Sequence, residues 1–378
     1  MSVSNNNPIP RIQKRQTQAY GDPVPDNEWT IVSDTGPISS SPTPTPTPSQ
    51  VDVFGKKKIY ADMPGFSNWA MNMNDPHSDP RANNPESSSY MPKFTKNVDG
   101  TWKIKDQTEI RWAISQDNGY NQSKLCTDFQ KCQKQGFMQD NKDWGTPPSG
   151  LEMTAYYRIN AANTGTSNGE GHIEHVMKGG RSTTSNTIVG VCNCALGCSN
   201  NLHGNTYFNA LHGLAPGPAR QKWEKDLKHT TGYSTDVKGV NNSSAYNFQK
   251  GKLFGIKTIV YNNPTNGNTE MEHWTDENGD NSWKKTHHWE DTGSNWPPRG
   301  DVSLCNVGTD HRINFGGPLS VFRSDNLLDY DIAYASIRSV DITKPLQPAS
   351  EHAKRFSDTA INEDDIMYQE ERSNGVAS

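Results

Sequence analysis

The stretch Leu151-Glu-Met-Thr-Ala-Tyr-Tyr-Arg-Ile159 decides the fold class. Leu151, Met153, Ala155, Tyr157 and Ile159 alternate with Glu152, Thr154, Tyr156 and Arg158. Successive side chains of a strand point to opposite faces, so this strand has one apolar face and one polar face. Residues 172–178 read as a second strand. Residues 252–261 read as a third, with Phe254, Ile256, Thr258 and Val260 on its buried side. Residues 269–275 follow the turn Asn262-Asn-Pro-Thr-Asn-Gly-Asn268, and residues 282–289 return as the hairpin partner. Residues 312–322 and 329–342 close the domain. No segment carries a long helical period. Strands without crossover helices pair antiparallel, which predicts an all-β, two-sheet antiparallel β-sandwich of jelly-roll type.

Composition agrees. Hydrophobic residues make only 31% of the 378, while 31 Gly and 24 Pro supply turns. Ten Trp, 13 Tyr and 11 Phe exceed what a wholly disordered chain carries, so a core is expected. Residues 1–50 read as a disordered arm ending in the stiff spacer Ser41-Pro-Thr-Pro-Thr-Pro-Thr-Pro48. Residues 51–345 are assigned to the sandwich and residues 346–378 to a polar tail.

Net charge is −5, and Lys56-Lys57-Lys58 is the longest basic run, which speaks against a nucleic-acid partner. There is no apolar run long enough for a membrane span, and the first 30 residues show no cleavable signal peptide. Six cysteines (Cys126, Cys132, Cys192, Cys194, Cys198, Cys305) favour disulfides and an oxidising setting, with pairings left open. Cys192, Cys194, Cys198 and His203 form an alternative zinc set with atypical spacing. The expected location is extracellular, or on a cell or virion surface.

Four stretches carry a resemblance: Ser149-Gly-Leu-Glu-Met-Thr-Ala-Tyr-Tyr-Arg158, Phe254-Gly-Ile-Lys-Thr-Ile-Val-Tyr-Asn262, Met271-Glu-His-Trp-Thr-Asp-Glu-Asn-Gly-Asp280 and Gly316-Gly-Pro-Leu-Ser-Val-Phe-Arg323. Their order resembles the concanavalin A-like jelly rolls of polysaccharide lyases, of alginate and glucuronan lyase type. The resemblance implies a sheet face that holds a polysaccharide. It places Glu152 and Arg158 on an Arg-rich strand. Gly171-His-Ile-Glu-His175 stands where the family has Gln-Ile-His, with His172 in place of Gln. Lys257 and Tyr261 stand for part of a Tyr-x-Lys strand.

Lyase chemistry needs a cation that neutralises the uronate carboxylate, a base for the adjacent C–H proton and an acid for the leaving oxygen. Arg158 or Arg181 suits the first role, and His172 or His175 the second. Tyr261 or Tyr156 suits the third, with Lys257 beside them. Glu152, Tyr156, Glu174, Lys178, Arg181, Glu270, Glu272 and Trp274 are expected to line a substrate groove, with His172, Glu174 and Lys178 on one strand face. Two rival readings stay open. Glu270 and Glu272 share a strand face and suit a paired-carboxylate hydrolase. A non-catalytic sugar-binding module needs only aromatics and hydrogen bonds, and Trp274, Trp283, Trp289 and Trp296 cluster. The oxygens of Asp276, Asn278 and Asp280 flank a Gly turn and suit a structural Ca²⁺.

Overall fold

The computed structural model describes residues 11–13, 30–32, 49–83, 88–116, 143–163, 170–179, 206–212, 214, 217–226, 238–295, 312–314, 316–317 and 319–346. The chain divides into two units, Met1–Thr47 and Pro48–Ser378. In the first, β1 (Arg11–Gln13) pairs antiparallel with β2 (Thr30–Val32).

The second unit carries β3 (Tyr60–Asp62), β4 (Trp69–Ala70), β5 (Ala82–Asn83), β6 (Thr95–Lys96), β7 (Trp102–Lys105), β8 (Glu109–Ser115), β9 (Gly150–Ala162) and β10 (His172–Gly179). It continues with β11 (Thr206–His212), β12 (Gly217–Asp226), β13 (Lys238–Phe248), β14 (Leu253–Asn262), β15 (Thr269–Asp276), β16 (Lys284–Asp291), β17 (Leu319–Asp325) and β18 (Leu327–Pro345). One sheet has seven strands in the order β13-β12-β11-β10-β17-β8-β5. The other has nine, in the order β16-β15-β14-β9-β18-β7-β6, with β3 and β4 also pairing with β18. All pairings are antiparallel, and the chain crosses repeatedly from one sheet to the other. This is the two-sheet jelly roll that the alternating pattern predicts. Among the described residues the only helix is one 3-10 turn, Ser88–Tyr90.

The expected apolar faces meet between the sheets. Leu151, Met153, Ala155, Tyr157 and Ile159 of β9 and Phe254, Ile256 and Val260 of β14 join one buried cluster. Trp69, Trp112 and Phe322 pack into the same cluster, with Trp69 and Trp112 edge to face at 5.3 Å. Residues 284–291 pair with β15 as the expected hairpin partner.

Two local features redirect side chains. The β10–β17 register shifts between Val176 and Gly179, and Lys178 adopts φ +62°, a left-handed conformation uncommon for a non-glycine residue. At Gly171 an added Cβ would lie 2.8 Å from Ala162 Cβ and 3.0 Å from the Asn326 carbonyl. Glycine is therefore what lets β10 begin against the ends of β9 and β18, with His172 as its first residue.

Candidate functional site

Many of the expected groove residues do gather on one surface, the outer face of the nine-stranded sheet. Glu152, Tyr156 and Arg158 come from β9, Lys257 and Tyr261 from β14, and Glu270, Glu272 and Trp274 from β15. They are not open to a polymer. Glu152 and Lys257 are fully buried, and Arg338 from β18 is nearly so. Glu152 contacts Lys257 Nζ at 3.3 Å and Arg338 Nη2 at 2.9 Å. Lys285 Nζ lies 2.6 Å from Glu272, and His288 Nε2 lies 2.7 Å from Glu270. Trp274 donates to Glu272 at 2.9 Å. At one end Arg158 pairs with Asp99 at 2.6 Å and Asp331 at 3.1 Å.

A strap formed by residues 50–62 lies across this face. Lys58 N–H donates to the Gln50 carbonyl and closes a loop. Lys56 Nζ sits 4.2 Å from the Tyr156 ring and 4.5 Å from the Tyr334 ring. Ile59 packs with Ile259, Trp274 and Val340. Tyr60 meets Tyr261 at 6.1 Å and donates to Glu272 at 3.1 Å. The expectation of an open groove here is corrected: alternation places these groups on one face, and a segment distant in sequence covers it.

The expected meeting of Arg158, a histidine of residues 172–175 and Tyr261 is also corrected. β10 belongs to the seven-stranded sheet, so His172 and Glu174 lie on the opposite side of the sandwich. His175 points between the sheets, where its Nδ1 meets Thr258 Oγ1 at 3.0 Å and its Nε2 meets Tyr157 Oη at 3.1 Å. Lys178 does not share the face of His172 and Glu174. The bulge turns it inward, where Nζ donates to Asn262 Oδ1 at 3.1 Å. Burial pushes its pKa down to about 7. Arg181, the six cysteines, His203 and Trp296 lie outside the described residues.

Around His172 the seven-stranded sheet builds a second constellation. His172 Nε2 lies 3.0 Å from Asp325 Oδ2 and 3.2 Å from Glu174 Oε1. Its Nδ1–H donates to the Glu170 carbonyl at 2.8 Å, which fixes the ring. Arg323 contacts Asp325 at 2.7 Å and Glu174 at 3.1 Å. Arg111 contacts Glu109 at 2.6 Å and stacks over Tyr90 at 4.5 Å. Register explains the convergence: β10 and β17 pair His172 with Asp325 and Glu174 with Arg323, and β17 and β8 pair Arg323 with Arg111. His212 of β11 stacks on His172 at 4.5 Å with the planes 25° apart. Its register partner Arg220 is 53% exposed in its side chain and pairs with Glu170.

Burial opposes charge on His172, but hydrogen bonds to Asp325 and Glu174 outweigh it and push its pKa up to about 10. Arg323 and His172 hold both carboxylates below the usual range against the opposing effect of burial. Protonated His172, Arg323 and Arg111 thus face Glu174, Asp325 and Glu109. The stability this charge contributes is fully present below the ordinary histidine value of 6.5 and is lost as pH rises through about 10. The melting temperature of His172→Gln is therefore expected to converge on that of the parent protein as pH rises from about 7 to above 10. A constant difference across that window would contradict it.

No family profile and no curated protein sequence matches the chain. Among solved structures it is similar to an endo-beta-1,4-glucuronan lyase from the fungus Trichoderma reesei, at 7% identity over 77% of this chain and 98% of that one, with a TM-score of 0.34. It is similar to lectin II from Ulex europaeus at 8% identity over 72% and 98%, with a TM-score of 0.32. The lumenal domain of VIP36 in a Ca²⁺- and mannose-bound form matches at 10% over 70% and 84%, with a TM-score of 0.32. Likeness at these values carries no inference about chemistry.

Three metal-ligand types converge among the described residues. His172, Glu174 and Asp325 bring candidate atoms within 4.8 Å of one another. Their charges are already balanced by the His172 proton and Arg323. The oxygens considered for Ca²⁺ are engaged by protein donors. Asp276 accepts from Tyr156 and the backbone of Asp280 and Asn281, Asn278 from Lys252, and Asp280 from Ser282.

Sequence reasoning missed Glu109, Arg111, His212, Arg220, Arg323 and Asp325. For four of the six the signal was present as opposite charges two apart, Glu109-x-Arg111 and Arg323-x-Asp325, on strands that share a sheet with β10; His212 and Arg220 carry no such spacing.

Proposed function

We propose that this protein acts on an acidic, uronate-containing polysaccharide at the outer face of the seven-stranded sheet, and cleaves it by β-elimination. The observation that carries the reading is the stacked pair His172–His212 beside the half-exposed Arg220. Arg220 faces the uronate carboxylate and draws charge from it, which acidifies the neighbouring C–H. His212 takes that proton, the electron pair forms the new C=C bond, and the C–O bond to the leaving sugar breaks. His172, held protonated by Asp325 and Glu174, supplies the proton to the leaving oxygen. Glu170 orients His172 through its carbonyl and Arg220 through its carboxylate. Such a polymer implies an extracellular or surface setting.

A second reading is a sugar-binding module. It is favoured by the close pairing of Arg323 with Glu174 and Asp325, which leaves Arg220 as the most exposed cation of the constellation. A panel of uronate polymers, followed by the ultraviolet absorbance of unsaturated products, separates the two. Turnover is expected, with His212→Asn lowering kcat about 10²–10⁴-fold while glycan binding persists. Arg220→Ala is expected to raise KM and lower kcat together. Glycan binding without unsaturated product from any polymer favours the module. Reducing ends without unsaturation point to hydrolysis. Neither product nor binding overturns the reading.

A further inference from the structure

We propose that Lys225 and Asp291 condense into an intramolecular isopeptide bond that ties the two sheets together. Lys225 belongs to β12 of the seven-stranded sheet and Asp291 to β16 of the nine-stranded sheet. Both side chains are 0% exposed, and Nζ lies 2.9 Å from Asp291 Oδ2.

The surroundings of the carboxylate are what a condensation needs. Tyr207 Oη donates to Oδ2 at 2.7 Å, and the Gly293 backbone N–H donates to Oδ1 at 2.7 Å. The two oxygens are thus distinguished. Nζ is held against the carboxylate whose carbon it would attack, so the nucleophile and its electrophile belong to one buried contact and the step is intramolecular. An ion pair sealed from water loses the hydration of both charges. Moving one proton from Nζ to Oδ2 cancels both charges and creates a neutral amine beside a carboxylic acid.

The step balances without a co-reactant. The Nζ lone pair attacks Asp291 Cγ, and charge develops on Oδ1, where the Gly293 N–H is already aimed. The Cγ–Oδ2 bond breaks as Oδ2 takes a second proton from the attacking nitrogen, relayed by the Tyr207 hydroxyl. Water leaves, and an Nζ–Cγ amide remains. No atom is oxidised or reduced. Trp223, two residues before Lys225, is buried in the apolar cluster between the sheets, and Trp289, two residues before Asp291, packs against that cluster. β16 ends the nine-stranded sheet and β12 is the last strand but one of the other. The bond would therefore fasten the sandwich near its edge, where strands open most readily.

The test is the intact mass of the full-length chain, purified, denatured and reduced. Condensation lowers it by about 18 Da, the mass of one water. Tandem mass spectrometry of a digest is expected to show a branched peptide joining the segments that contain Lys225 and Asp291. Asp291→Asn should shift the loss to about 17 Da, as ammonia leaves in place of water. Lys225→Arg should abolish the loss. The parent protein decides the matter even if a variant fails to fold. A full-length mass equal to that of the sequence, with both residues recovered in linear peptides, overturns the proposal. So does a mass loss that maps elsewhere.

Discussion

Glu152→Ala is expected to destabilise the protein by about 3–5 kcal/mol, and Lys257→Met by far less, despite the contact between the two residues. The difference follows from charge. Glu152 is the anion between two buried cations, Lys257 and Arg338. Burial raises its pKa, but Arg338 and then Lys257 pull it below the ordinary carboxylate range, so it is ionised at neutral pH. Removing it leaves Lys257 with Thr154 Oγ1 at 3.0 Å, the Trp283 ring at 4.3 Å and, among the described residues, the weaker attraction of the Asp52 carboxylate in place of a direct ion pair. Removing Lys257 instead leaves Glu152 paired with Arg338, and methionine fills a similar volume against Trp283. Replacing one member of an over-supplied buried ion set by an apolar side chain is often near neutral. Urea unfolding at neutral pH with an unchanged m-value is the measurement. Equal losses in the two variants would show that the charge argument fails. A loss of polymer cleavage in Glu152→Ala with unchanged stability would return this face to catalysis.

That prediction also marks what could be read from sequence. Parity along β9, β14 and β15 was legible because the strand period is 2 and the apolar set is nearly unbroken. It told which residues share a face, but it is silent on what covers that face. The strap from Gln50 to Asp62 has no period of its own, and its docking depends on scattered contacts such as Lys56 on Tyr156 and Ile59 on Trp274. Sheet membership was equally hidden. Residues 172–179 and 150–162 are consecutive strands, yet they enter different sheets, and this alone separates His172 from Arg158 and Tyr261. A single bulge defeated the placement of Lys178, because one extra residue reverses every later side chain. The most misleading positions were inner ones occupied by polar residues. Thr258, His273 and His287 occupy apolar-parity sites, so a pattern reader counts them as core without asking what their nitrogens and hydroxyls contact.

Those inner histidines predict a steep loss of stability in mild acid. His175, His273 and His287 face one another between the sheets, from β10, β15 and β16. His273 Nδ1 meets Asn209 Oδ1 at 2.6 Å, and the His287 ring lies 6.3 Å from that of Trp223. Burial pushes His175 down to about 3 and His287 down to about 4, the latter also opposed by His288. His273 is held well below its ordinary value by burial and by its two histidine neighbours. In the unfolded chain each takes a proton near the ordinary value of 6.5, so the unfolded state binds more protons throughout the interval below it. Stability therefore falls as pH drops from 6.5 and levels off only near the folded values. Three protons set a slope approaching about 4 kcal/mol per pH unit, which a typical reserve of about 5–15 kcal/mol survives for only a few units. Lys178 does not contribute in this window, since its depressed folded value of about 7 acts between there and 10.5. The interval from about pH 6.5 to 5 also precedes most carboxylate titration, which isolates the histidines. Urea unfolding at steps across it is expected to give this slope in the parent protein. The slope should be about one third smaller in His287→Gln, which keeps a polar group against Trp223 without the titration. An unchanged slope in that variant would mean that His287 is already charged in the folded protein, and that solvent reaches the space between the sheets.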